Sequence, residues 1–394
     1  MACSKLFSGD LPELIDKVIQ YFRHDHKTLR SCILVNRLWC RLAIPLLWED
    51  PFSIKFPKNY QFIEIYLRNL NDDYKTKLNE YVVHNNDLFS SNTLFNYTSF
   101  IQCLDISKVY YSIEKWITTV EFSSSYSIRN AILSYSLIEL IYKSLFLIFI
   151  ENKNQFNIIY CHSLDSKFIQ QIVNITKPFK LKSLFLHGEF VLQIESFKSL
   201  VQKAGNYLEN FGIVGDISQQ MSQLIMKYCS KIKHLDSNLT NNESVNILLR
   251  LIENITQNLN YLTINDRGIG YNSILLFNLG QILPFKLEYL SLILSVNTSD
   301  LEVLFKNSQN TFIKKLLIRN NKKDENQDIF PYIKEHVMKK KRVKYLAILE
   351  NCHGKREDLF SQKDKVKEFQ LYDIQVSNYD DLFMNVYDFI KEID

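Results

Sequence analysis

The residues best suited to chemistry in this 394-residue chain are few, and their spacing assembles no reacting group. Cys161-His162 and Cys352-His353 are adjacent pairs of metal-ligating type, but neither has a second pair at a ligand-like distance. His24 and His26 flank Asp25 between two apolar periodic stretches, a placement that suits a solvated turn better than a metal centre. Carboxylates are plentiful, yet nothing in their spacing sets two of them up for acid–base work. The glycine-rich phosphate loops, the nucleophile elbow GxSxG and the zinc motif HExxH are all absent. The one sharp charge run is Lys339-Lys340-Lys341-Arg342, continuing to Lys344. It suits an import signal or an acidic partner, and equally the solvated end of a helix, where cations complement the dipole. Neither a catalytic residue nor a metal or cofactor is expected.

A recognition surface is the better expectation, and it comes from a recurring triplet: apolar, two variable, apolar, one variable, apolar. It reads Ile101-x-x-Leu104-x-Ile106, Phe156-x-x-Ile159-x-Cys161, Leu181-x-x-Leu184-x-Leu186 and Leu208-x-x-Phe211-x-Ile213, then a degraded Ile232-x-x-Leu235. Five more follow, ending in Val343-x-x-Leu346-x-Ile348 and Val366-x-x-Phe369-x-Leu371. The central positions 184, 211, 235, 262, 290, 316, 346 and 369 lie 23 to 30 residues apart, a solenoid-like period. Helical stripes separate the triplets, among them Val245, Leu248, Leu249, Ile252 and Ile255 behind a capping Asn241 or Asn242. If the apolar positions point inward, the alternate ones point to the other strand face. Those are Tyr261 and Thr263, Tyr289 and Ser291, Lys315 and Leu317, Tyr345 and Ala347, then Glu368 and Gln370. Stacked tyrosines offer rigid contact area with a polar tip.

The N-terminal stretch 10–51 carries a different pattern. Leu14, Ile15, Val18, Ile19 and Phe22 share one helical face, behind Pro12 in a first turn where its missing N–H costs nothing. A second apolar pattern runs from Leu29 through Cys32, Val35, Trp39 and Leu42. Forty residues with this much apolar surface cannot bury it all against themselves. The stretch resembles the F-box, the helical module by which substrate receptors dock on the Skp adaptor of Skp–cullin–F-box ubiquitin ligases. Leu11-Pro12, Glu13-Leu14-Ile15, Val18-Ile19, Tyr21-Phe22, Val35-Asn36-Arg37-x-Trp39, Leu42-Ala43 and Leu47-Trp48 carry the resemblance. It departs in lacking the residue that usually separates the Leu-Pro pair from the glutamate. The triplets in turn resemble the leucine-rich repeats that follow the F-box in a large receptor class, including expanded fungal families. The consensus asparagine eight residues after the first apolar position survives only as Asn321 and Asn351.

Together these imply an α/β chain: a three-helix F-box over 1–51, a helical connector over 52–99, and an irregular leucine-rich-repeat solenoid with a helical cap over 100–394. The resemblance implies that Leu11, Pro12, Leu14, Ile15, Val18, Leu29, Val35, Trp39 and Leu42 serve the adaptor interface, partly from their own core. A protein target would meet Tyr261, Thr263, Tyr289, Ser291, Lys315, Leu317, Tyr345 and Glu368. A doubly wound α/β sheet and a repeat scaffold without ligase function are the rivals.

Composition fits. Apolar residues make up 46% and charged residues 23%, ordinary for a globular chain, and a net charge of +4 is too weak to argue for nucleic acid. The N-terminus lacks the apolar core of a secretory signal, and seven scattered cysteines without CxxC spacing read as reduced thiols of a cytosolic or nuclear protein. The most apolar run, Leu137 to Ile150, holds Glu139 and Lys143 and is too short to span a bilayer.

Overall fold

The computed structural model describes residues 12–54, 60–70, 72–79, 93–119, 128–152, 155–161, 172–174, 179–187, 194–215, 217–266, 272–321, 329–352 and 355–384. Leu11, His162 and His353 lie outside these residues. The chain forms two compact units, Met1–Lys180 and Leu181–Asp394.

The first unit opens with α1 (Pro12–Tyr21), α2 (His26–Cys32) and α3 (Arg37–Leu47). Ile15, Ile19, Leu29, Cys32, Ala43 and Leu46 seal a small core between them. Asp25 is the N-cap of α2, its carboxylate accepting from the backbone N–H groups of Lys27 (3.1 Å) and Thr28 (3.0 Å). That assigns the His24–His26 turn to capping. Asn36 caps α3 in the same way, accepting from the N–H of Trp39 at 3.0 Å. Beyond lie α4 (Phe62–Leu67), α5 (Asp72–Asn79), β1 (Cys103–Asp105), α6 (Ile106–Thr119), α7 (Ile128–Asn152) and β2 (Gln155–Cys161), with β2 parallel to β1. The apolar run 137–150 is helical within α7, which packs on α4, α5 and α6. Its Ile141, Leu145, Phe146 and Phe149 are buried, and Phe149 meets Tyr66 edge-on at 5.0 Å. Glu139 and Lys143 pair one turn apart at 2.7 Å, which is how an apolar helix carries both charges. Ile106 begins α6 instead of ending a strand.

The second unit alternates strand and helix: β3 (Lys180–His187), α8 (Ile194–Ala204), β4 (Asn210–Val214), α9 (Gln219–Tyr228), β5 (His234–Leu239), α10 (Asn242–Ile255) and β6 (Tyr261–Asp266). It continues with α11 (Asn272–Ile282), β7 (Lys286–Leu294), α12 (Thr298–Asn307), β8 (Phe312–Asn321), α13 (Phe330–Ile333) with a π-helical turn over Lys334–Met338, and β9 (Val343–Cys352). From β3 to β9 each strand pairs in parallel with the next, so the sheet is open and follows chain order. Parallel neighbours require a crossover, and the intervening helices supply it. Successive helices touch one another, so they form one layer. Leu184, Phe211, Leu235, Leu262, Leu290, Leu316 and Leu346 fall in a single register row. Those are the central positions of seven triplets. Asn241 caps α10 through a capping box with Ser244.

The last triplet is different. Val366, Phe369 and Glu368 lie in a helix, α14 (Lys363–Gln370), and Leu371 beyond it is 82% exposed. The sheet instead ends with β10 (Lys355–Asp358), antiparallel to β9, and β11 (Gln375–Val376), parallel to β9. A short helix, α15 (Tyr379–Leu382), follows.

Candidate protein-interaction surfaces

The nine residues assigned to an adaptor interface divide by burial. Ile15 and Leu29 are fully interior and hold α1–α3 together. Val18, Trp39 and Leu42 are half-buried, and Leu14 and Val35 are 47% and 50% exposed. Pro12 opens α1, and Leu11 falls outside the described residues. Leu14, Val18 and Tyr21 recur at i, i+4 and i+7, so they form one outer stripe on α1. Tyr21 is 86% exposed, and Leu34, in the turn before α3, is 83% exposed. Surface of this kind is retained while the helices beneath stay firmly set. Arg23, just past α1, donates its Nε to both carboxylate oxygens of Glu49 at 2.9 and 3.0 Å, tying the α1–α2 turn to the chain just past α3.

In the second unit the strand face turned away from the helices presents two side-chain rows. One is Asn210, His234, Tyr261, Tyr289, Lys315 and Tyr345; the other is Gly212, Asp236, Thr263, Ser291, Leu317 and Ala347. The expected tyrosine column therefore exists, broken by Lys315. Its openness does not. Tyr289, Ser291, Leu317 and Thr263 are buried, while Tyr261, Lys315 and Tyr345 are half-buried. Tyr379 and Leu382 of α15 pack with Tyr289, Leu317, Ala347 and Leu349, and Met384 packs against the same cluster. The Met384 N–H donates to the Tyr289 hydroxyl at 3.2 Å. Burial pushes that phenol up to about 12. Asp358 accepts the N–H of Tyr379 at 2.9 Å, Ser377 donates to the Leu346 carbonyl at 3.0 Å, and Arg356 pairs with Asp380 at 2.5 Å. The segment 377–384 is thus a strap across β7–β9. Glu368 leaves the column altogether, since on α14 it pairs with Lys334 at 2.6 Å.

Asn210, Gly212, His234 and Asp236 in these rows were not among the outward positions expected from the sequence, and His234 and Asp236 stand out chemically. These two sit on β5, whose triplet is degraded because Ser237 occupies the third apolar position. The signal that finds them is register, since His234 faces Tyr261 and Asp236 faces Thr263 across the β5–β6 ladder. Rings line this stretch, with Phe185 to His234 at 6.5 Å and His234 to Tyr261 at 5.9 Å. Burial shifts the two groups in opposite directions, His234 down to about 4 and Asp236 up to about 7.

The basic run is largely engaged inside the chain. Lys339 pairs with Glu335, Lys341 pairs with Asp373, and the Lys344 ammonium lies 5.3 Å from the Tyr345 ring centre. Arg342 is buried, donating to the carbonyls of Phe305 (2.9 Å), Thr311 (3.1 Å) and Ser308 just past α12. Among the described residues no three His, Cys, Asp or Glu side chains are grouped to hold a metal, and no helix is long and apolar enough to cross a membrane. No protein-family profile matches this sequence, and no curated protein matches it.

Proposed function

We propose that this chain is a non-enzymatic substrate receptor of a Skp–cullin–F-box ubiquitin ligase, docking the Skp adaptor, and through it the cullin, by its first three helices. The second unit, read as an irregular leucine-rich-repeat solenoid, holds a protein target. Catalysis on this reading is proximity, supplied by geometry with no reacting group of the chain's own. The observation that carries the reading is the division of labour within α1–α3. Ile15, Ile19, Leu29 and Ala43 close the element from inside, while Leu14, Tyr21, Leu34 and Val35 stay exposed. Large apolar side chains left exposed on a small element that has its own core are the makeup of a docking surface. The F-box resemblance names the occupant as the adaptor.

The test uses the exposed residues, because charges there leave the core intact. The double variant Leu14→Glu/Val35→Glu is expected to lose co-purification with the Skp adaptor while keeping its circular dichroism spectrum and melting temperature. Each buried aliphatic side chain is worth about 1.5 kcal/mol or more, so the pair weakens binding by at least roughly 100-fold. A folded variant that still co-elutes with the adaptor refutes the assignment.

A further inference from the structure

Several buried and half-buried carboxylates among the described residues have visible employment. Glu49 holds Arg23, Asp105 accepts from the N–H groups of Ser107 and Lys108, and Asp358 accepts from Phe360 and Tyr379. Asp236 has no such partner. It stands mid-face on β5, partly exposed, and among the described residues no hydrogen bond or ion pair engages its carboxyl. The nearest candidate for an internal cation, His234, is held neutral near pH 7 by burial. Lys315 sits three strands away in the register, about 14 Å at the usual strand spacing, and Lys314 is engaged by Glu288 at 2.8 Å.

Asp236 lies between Gly212 and Thr263 in its row, with aromatic rings close by. A β-carbon on Gly212 would lie 2.4 Å from the Phe185 ring, so the missing side chain lets that ring fold in beside the carboxyl. His234 and Tyr261 continue the row of rings, and the Tyr289 phenol feels the Asp236 charge. A carboxylate without a counterion, beside aromatic rings, is complementary to an ammonium or guanidinium, which the acid neutralises and the rings attract.

We infer that Asp236, with Phe185, His234 and Tyr261 beside it, is a binding site for a lysine or arginine side chain of the protein target. The inference rests on the reading that this face meets a protein, and it moves the contact from the strap-covered strands β7–β9 to β5 and β6. The aromatic rings orient the cation's stem, and Asp236 supplies the charge. The site selects basic segments and rejects acidic ones by like-charge repulsion.

The probe is a set of four fluorescein-labelled peptide pools, randomised except for a central residue fixed as Arg, Lys, Leu or Glu. Each is titrated into the full chain at pH 7.5 and followed by anisotropy. The Arg and Lys pools are expected to bind at least about tenfold more tightly than the Leu and Glu pools, as one charge-assisted contact provides. In Asp236→Asn, which keeps shape and removes charge, the preference falls to within about threefold. Equal binding of all four pools to the parent chain, no binding included, overturns the proposal, as does a preference that survives Asp236→Asn in a folded protein. The Leu14→Glu/Val35→Glu chain keeps the basic preference, so failure of the adaptor reading and failure of this site are read separately.

Discussion

His234 and Asp236 have opposite effects on stability as pH changes. The Asp236 carboxyl titrates at an ordinary 3.8 when unfolded and about 7 when folded, so its charge weighs against the fold increasingly from about pH 4 to pH 7. His234 goes from 6.5 unfolded to about 4 folded, so its contribution is full above pH 6.5 and is lost as pH falls toward 4. The two windows overlap with opposite slopes and largely offset each other. Removing one group exposes the other. Stability of the parent minus that of Asp236→Asn, from urea midpoints, is expected to fall steadily between pH 4 and 7, by at most about 4 kcal/mol. For His234→Phe the corresponding difference rises over pH 4 to 6.5. A flat difference for Asp236→Asn would show that the carboxyl is solvated or partnered in solution. The triplet count found β5 only as the degraded Ile232-x-x-Leu235, because Ser237 blanks the third apolar position, and neither residue was among the outward positions read from it.

Among the elements, the helix layer depends on close approach. A β-carbon on Gly280 of α11 would lie 2.7 Å from the Asn307 Cβ and 2.8 Å from the Leu304 carbonyl oxygen of α12. Gly280→Ala should therefore separate the two helices and cost about 1–3 kcal/mol, seen as a lower melting temperature, despite alanine's better helix propensity. Arg342 acts at the far end of α12, where it occupies carbonyls that the helix cannot satisfy. Arg342→Met should destabilise by about 2–3 kcal/mol by stripping those carbonyls, whereas Lys340→Met should be near neutral. Equal effects would return the basic run to the solvent. The strand ladder itself was readable: seven triplet centres share one register row, because three inward positions two and three residues apart must all be apolar only on a buried strand. Val366-x-x-Phe369 misled because its first two positions are also one turn of a helix. The third, Leu371, decides the matter by being exposed. The strap over β7–β9 was not readable either, since Tyr379-x-x-Leu382 has no repeat to stand in and its partners lie up to 95 residues away.

On the scale of the whole molecule, the chain holds two compact units, and sequence spacing alone did not announce a division after Lys180. At its end the second unit closes β9's outer side in two halves, with β10 along residues 349–352 and β11 along 345–346. Unpaired strand margins are the usual template for joining further chains. Here every rung along those residues is already taken, so neither a duplicated repeat nor a foreign β-segment can extend the array at this terminus without first evicting the hairpin and the short strand after it. Self-association through that margin of β9 is thereby blocked by β10 and β11.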